Sequence, residues 1–308
     1  MDRPYLILIL TTLFWGGNVV AGKLAVGHID AHSLMILRWT GALLLVLPFA
    51  IGPLKRDWPV LRAKWWLYLL YGAIGYASFN VFVYIAAHFT TGVNIALEQA
   101  TINIMVILFN FVLFRTRVRA LQMVGVVITI LGIAIIATHG ELARILRLDL
   151  NIGDLLMLLG CLAYAIYSIM LRWRPQTNWL SFLAATFLGA ILASFAYQAS
   201  LGDGPANLIA NIAAIDLKGW IIAAYTAIFP SVLSQLFYVR GVELIGSNRA
   251  SLFINLIPLF GTLGSVVVLG ETLEGFHLAA AALIAAGIVL AEWSARRGAN
   301  RPGGESPG

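Results

Sequence analysis

The run from Gly92 to Phe114, GVNIALEQATINIMVILFNFVLF, carries Glu98, Gln99, Asn103 and Asn110 in an otherwise apolar stretch. About 20 helical residues at ~1.5 Å each cross the ~30 Å hydrocarbon core of a bilayer, so this run is long enough to span one. A carboxylate inside such a span costs at least ~2.5 kcal/mol and belongs where protein or water can receive it. Gln99, Asn103 and Asn110 recur at i, i+4 and i+11 and share one helical face, with Glu98 one residue off it. The run reads as the wall of an aqueous cavity. Arg38 lies equally deep in a neighbouring apolar run, and Lys23 lies slightly shallower near the end of the first one. An arginine fork holds a carboxylate in bidentate fashion, and a carboxylate takes an ammonium. Arg38 and Glu98 are therefore expected either to pair and lock two spans together, or to form the two poles of a site for a zwitterion. Glu98 is also a candidate to bind and release a proton.

Other spans carry mixed polar and aromatic faces. Tyr76, Asn80 and Tyr84 stand at i, i+4 and i+8, and Trp15 shares a face with Asn18. Tyr164, Tyr167 and Ser168 share another, as do Ser251, Asn255, Pro258 and Thr262. Ser234, Gln235 and Tyr238 form a similar group. Such faces suit a cavity for a partly apolar, partly polar ligand, and ring faces attract cations. The same patterns also serve as interfacial aromatic belts or as hydrogen bonds between membrane helices. Trp65, Trp66, Trp179 and Trp220, at span starts, are assigned to the belt. His277 with Glu271 and Glu274 reads as a solvated turn.

The elements that position these residues follow from composition. Of 308 residues, 60% are hydrophobic and 11% charged, and the mean hydropathy is +0.89. Soluble domains carry about 25% charged residues, so this is an all-α integral membrane protein. Ten spans are expected, at about 5–27, 32–51, 65–87, 92–114, 120–139, 152–172, 179–201, 218–238, 246–269 and 275–294. The first is read as retained rather than cleaved. Residues 295–308, rich in Gly and Pro, read as a disordered tail. Fifteen of the twenty Lys and Arg fall on one side of this arrangement. Lys23, Arg144, Arg147 and Lys218 fall on the other, and Arg38 lies within a span. That bias places both termini in the cytoplasm, in an inner membrane.

The chain also repeats itself. Shifted by 154, Tyr71, Ala73, Ile74 and Tyr84 fall on Tyr225, Ala227, Ile228 and Tyr238, and Gly92, Asn94 and Ala96 fall on Gly246, Asn248 and Ala250. Residues 1–139 and 152–294 then form two repeats of five spans. Five is odd, so the second is inverted, a design of secondary transporters whose site lies at the repeat interface. Arg38 and Glu98 map onto Thr186 and Phe253 (or Leu252), so neither charge belongs to the repeated scaffold.

Phe14-Trp15-Gly16-Gly17-Asn18, Lys23 and Leu37-Arg38 resemble the opening of the drug/metabolite transporter superfamily, EamA-type branch. Pro258, Gly270-Glu271-Thr272-Leu273 and Gly287 fit the close of its second half; in the first half Asn103 and Arg115-Thr116-Arg117 replace the proline and the acidic turn. The resemblance implies ten helices in two inverted repeats and a carrier of small metabolites, often exporting amino acids. Among these, aromatic and apolar ones suit the mixed faces. An exporter of cationic drugs or amines is an alternative, and an integral-membrane enzyme or scaffold is one of another class. The sequence carries no phosphate-binding Gly loop, no His-Glu-x-x-His and no serine triad, so no ATP drive, no enzyme activity and no cofactor is expected. The single cysteine and five scattered histidines offer no metal cluster. The expected partners are a small-molecule substrate and the lipid bilayer, with no nucleic acid, and the chain is expected as a monomer or homodimer.

Overall fold

The computed structural model describes residues 3–115, 120–141, 151–245, 250 and 253–299, and every regular element among them is helical. That outcome is forced by the solvent. A bilayer offers no water to backbone N–H and C=O groups, so a spanning segment must satisfy its own. Among the described residues, seven helices are long and apolar enough to cross a membrane. They are α1 (Pro4–Ala25), α2 (Ala31–Ala63), α3 (Trp65–Ala86), α4 (Gly92–Phe114), α6 (Ile152–Trp173), α7 (Trp179–Ser200) and α8 (Leu217–Ile245). Three further apolar helices are α5 (Ala120–Ala137), α9 (Ile257–Leu269) and α10 (Gly275–Ala299). Phe49, Val112, Val267 and Val289 are each at least two-thirds exposed, so the outside of the bundle presents apolar side chains, as a lipid-facing surface must.

Three irregularities recur at matching places in the two halves. α3 passes through a π-helical segment at Gly72–Ser78 and α8 through one at Ala227–Leu233, so each bound is displaced by 155 residues. α4 is broken by a turn at Gln99–Ala100 between Gly92–Glu98 and Thr101–Phe114. The matching turn is Asn255–Leu256, ahead of α9. Both of these helices end on a left-handed residue, Arg115 (φ 50°) after α4 and Gly270 (φ 70°) after α9. A left-handed arginine is uncommon, so the cap geometry persists where the glycine does not.

The helices pack closely where side chains are small. A Cβ at Gly16 would lie 2.7 Å from the Gly261 nitrogen and 2.9 Å from Phe260 Cβ. α1 and α9 therefore meet backbone to backbone, as small residues permit in membrane bundles. Two sequence expectations change. α2 runs on to Ala63 rather than ending near 51, carrying Pro48, Pro53 and Pro59 within it. The last helix continues to Ala299, so 295–299 are helical; 300–308 lie outside the described residues, as do Arg117, Arg119, Arg144, Arg147, Arg249, Ser251 and Leu252.

Candidate functional site

A cavity of about 450 Å³ lies among these helices. α1 contributes Trp15 and Asn18, α2 contributes Arg38 and Trp39, and α3 contributes Tyr76, Phe79 and Asn80. The break in α4 presents Gln99 and Asn103, and α6 presents Tyr164 and Tyr167. Gln235 and Tyr238 enter from α8, and Asn255 enters from the turn before α9. Twelve of the fifteen site residues expected from sequence are thus brought to one space, and Tyr84, Glu98 and Ser234 are not.

Arg38 organises the floor of this space. It is 4% exposed, and its bonds all go to neutral groups. Nε donates to Ser231 Oγ (2.7 Å) and Nη1 to Asn80 Oδ1 (2.7 Å), Asn18 Oδ1 (2.8 Å) and the Tyr84 hydroxyl. Nη2 makes no bond to the described residues. Ser231 is available because of the proline beside it. Pro230 has no N–H for the Thr226 carbonyl one turn back, and the Ser231 hydroxyl donates there instead (2.8 Å), leaving its lone pairs for Arg38. The guanidinium also lies 4.6 Å from the Trp39 ring centroid, and Trp39 stacks on Tyr76 at 5.0 Å and 16°. Tyr84 therefore supports Arg38 from behind the cavity wall.

Further residues shape the cavity. The Trp15 indole donates to the Pro230 carbonyl (3.1 Å), and Asn103 Nδ2 donates across the space to Asn255 Oδ1 (3.1 Å). Arg174 and Trp179 line it at the α6–α7 connection, so the cavity reaches the arginine-rich edge of the bundle. Trp179 is therefore a lining residue rather than a belt residue, whereas Trp65, Trp66 and Trp220 are exposed as a belt requires. Ser234 instead donates to backbone carbonyls of Phe229 and Thr11. Asn110 meets Arg172 outside the cavity (3.4 Å).

Arg38 and Glu98 are not paired. Glu98 is fully buried and lines no part of the cavity, and among the described residues neither of its carboxyl oxygens has a hydrogen-bond partner. The opposite edge of the bundle is closed by contacts that the solvated-turn reading missed. Glu271 accepts from the N–H groups of Gly92 (2.8 Å) and Val93 (2.9 Å) at the start of α4, where a helix favours negative charge. His277 is buried against Asn94 (3.0 Å), while Glu274 stays exposed. Lys23 donates to the Ala87 (2.8 Å) and Thr90 (2.9 Å) carbonyls at the end of α3. The sequence signal for Glu271 was the acidic turn after a left-handed glycine. Trp39 and Ser231 had no signal beyond their neighbours Arg38 and Pro230.

A bundle of membrane-crossing helices around a mixed polar and aromatic cavity, with broken helices at its wall, defines a membrane transporter. The chain belongs to the EamA-like transporter family, whose model matches residues 3–138 and again 151–293. It is similar to an uncharacterized transporter, YyaM, of Bacillus subtilis (26% identical, covering 93% of this chain and 92% of that one). It is also similar to a Salmonella typhimurium protein named "Probable amino-acid metabolite efflux pump" (25% identical, covering 92% and 93%). A solved crystal structure shares the fold with a TM-score of 0.62 at 18% identity, covering 96% of this chain and 98% of that one. The protein is a transporter of this type and not an enzyme.

Proposed function

We propose that this protein exports amino acids, aromatic and other apolar ones foremost, by alternating access across a bacterial inner membrane. The observation that carries the reading is the charge of the cavity. Among the described residues its lining holds two arginines, Arg38 and Arg174, and no carboxylate. A buried guanidinium whose protein partners are all neutral is poised for a carboxylate brought by the substrate. The ring faces of Trp15, Tyr164 and Tyr238 and the amide oxygens of Asn103 and Asn255 then suit an ammonium and an apolar side chain. A cation exporter fits less well, because a cation would meet two like charges and no acid. The Salmonella relative's name points the same way.

Seven membrane-crossing helices and three further apolar ones among the described residues support a ten-span reading. The paired π segments, paired breaks and paired left-handed caps support two five-helix repeats, inverted as their odd number requires. With both termini cytoplasmic, the cavity faces inward and the Glu271, His277 and Lys23 contacts close the outer side. The test is flux in proteoliposomes for L-phenylalanine, L-leucine, phenethylamine and an aromatic quaternary cation. Saturable flux of the two amino acids that exceeds that of the amine and the cation is expected. Flux of the cation alone would refute the reading.

A further inference from the structure

Outside the cavity, one group is left without a role. Glu98 is the last residue of the first piece of α4, one residue before the break that faces the cavity. It is 0% exposed, and among the described residues both carboxyl oxygens lack a hydrogen-bond partner. Asn94 lies four residues earlier, on the same helical face, and its amide donates to Asp154 Oδ1 on α6 (3.3 Å). Thr90 also donates to that oxygen, while Asp154 Oδ2 has no partner. Helical side chains lean toward the helix N-terminus, so the Glu98 carboxyl is carried toward this Asn94–Asp154 layer. One turn on, the Glu98 backbone carbonyl accepts from Cys161 Sγ (3.4 Å), which fixes α4 against α6 on both sides of the carboxyl.

We infer that Glu98, set against Asp154 between α4 and α6, is a proton-binding site separate from the substrate cavity. An ionised Glu98 would have no donor to replace its hydration, a second carboxyl nearby, and the negative end of a helix piece at its own backbone. A bound proton removes all three conflicts. A metal cation does not fit, because among the described residues no group of three His, Cys, Asp or Glu side chains is placed to hold one.

The surroundings bear this out element by element. Within their helical residues α5 and α9 carry no titratable side chain, but the turn after α5 brings His139, against Phe276 (5.8 Å), and the turn after α9 brings Glu271, whose carboxylate is held by the Gly92 and Val93 N–H groups. α1 brings Lys23, whose ammonium is already held by the Ala87 and Thr90 carbonyls. α6 brings Asp154 and Cys161, and α10 brings His277. The His277 Nδ1 accepts from the Glu274 N–H (3.0 Å), so Nε2 donates to Asn94 and cannot also serve Glu98. Resting on the exporter reading, the site would exchange one proton entering from outside against one substrate leaving. Glu98 would take the proton when the outer contacts part and release it as a carboxylate when the break at Gln99–Ala100 opens it to the cavity.

The test has two arms on the full-length protein. Dicyclohexylcarbodiimide reacts with protonated carboxyls in apolar surroundings and reports the site without any substrate. A single adduct on the Glu98 peptide, slower as pH rises, retained in Asp154→Asn and lost in Glu98→Gln, is expected. Absence of a Glu98 adduct at every pH would overturn the proposal. The second arm is L-phenylalanine in proteoliposomes with and without an imposed pH gradient. Glu98→Gln is expected to lose the response to the gradient and keep equal-concentration exchange; a wild-type response in that variant would also overturn it. If wild type moves no L-phenylalanine, the amino-acid reading fails while the labelling arm still decides the proton site.

Discussion

Replacing Arg38 by Gln separates recognition of a carboxylate from everything else the cavity does. In the folded protein the guanidinium spends Nε and Nη1 on Ser231, Asn80, Asn18 and Tyr84, and leaves Nη2 without a bond to the described residues, where the proposed substrate carboxylate would bind. A hydrogen bond to a charged group contributes about 1.5–3 kcal/mol when its surroundings are desolvated. At 1.4 kcal/mol per tenfold, losing it raises the KM for L-phenylalanine roughly 10- to 150-fold. Phenethylamine has the same ring and ammonium but no carboxylate, so its transport should change by no more than about twofold, within ~0.4 kcal/mol. Arg38→Lys keeps the charge and loses the fork, and should fall between the two. Stability should move little, because a guanidinium without a counter-charge is itself costly to bury, and the Tyr84–Asn18 (3.0 Å) and Asn18–Asn80 (3.3 Å) bonds survive its removal. The assay is initial-rate uptake of both compounds in proteoliposomes, with thermal unfolding in detergent as the control. Equal loss for the acid and the amine would show that Arg38 only holds the helices, and the carboxylate argument would fall with it.

Three further outcomes follow from the geometry. Glu271→Ala removes two charge-assisted bonds from the start of α4 and should shift the balance toward the outward-open form by about 1–2 kcal/mol, or roughly 5- to 30-fold, read as a longer distance between spin labels at Val26→Cys and Leu273→Cys. An unchanged distance distribution would remove Glu271 from the outer closure. Gly16→Ala puts a Cβ 2.7 Å from the Gly261 nitrogen and should cost about 1–3 kcal/mol, seen as a lower Tm in a fluorescence thermal-shift assay. Asp216, in the loop before α8, is held below the usual carboxylate range by the Gly219 N–H first and by His28 second. Its contribution is therefore present above the unfolded value near ~3.9 and is lost as pH falls through the lower folded value, so the Tm difference between wild type and Asp216→Asn should vanish on strong acidification and persist at neutral pH.

Much of this was legible in the residues, and the part that was not has a common physical cause. Apolar runs of about 20 residues determine helices because a bilayer allows little else, and the mixed faces of α1, α3, α4 and α6 point to a shared space because polar atoms avoid lipid. Periodicity says which face a residue occupies but not how far a helix rotates against its neighbour. Glu98 and Gln99 are adjacent in sequence, yet only Gln99 reaches the cavity. Depth placed Arg38 and Glu98 in one layer, but the lateral position that assigns them to separate chambers comes from packing: α2 against α8 for one, α4 against α6 for the other. The His277 and Glu271 contacts join residues more than 170 positions apart, and no local pattern encodes them.

The two halves share a scaffold and differ in their charges, and the difference suits a device that must treat its two sides unequally. The π segments, helix breaks and left-handed caps recur near the same 155-residue displacement, so each half has the same places to bend. Arg38 is the eighth residue of α2, and the eighth residue of α7 is Thr186, an uncharged side chain whose hydroxyl donates to the Phe182 (2.8 Å) and Leu183 (3.0 Å) carbonyls. At the position of Glu98 it has Phe253, whose ring lies 6.0 Å from Tyr5. On the proposed export cycle, repeated hinges would let the helices rock about one centre, while unrepeated charges would give the substrate a guanidinium in one chamber and the proton a carboxyl in the other. If the charges were merely structural, placing them in both halves would have served equally well. Their confinement to the first half, on opposite sides of α4's approach to the cavity, is what makes separate binding of substrate and proton the economical reading of the fold.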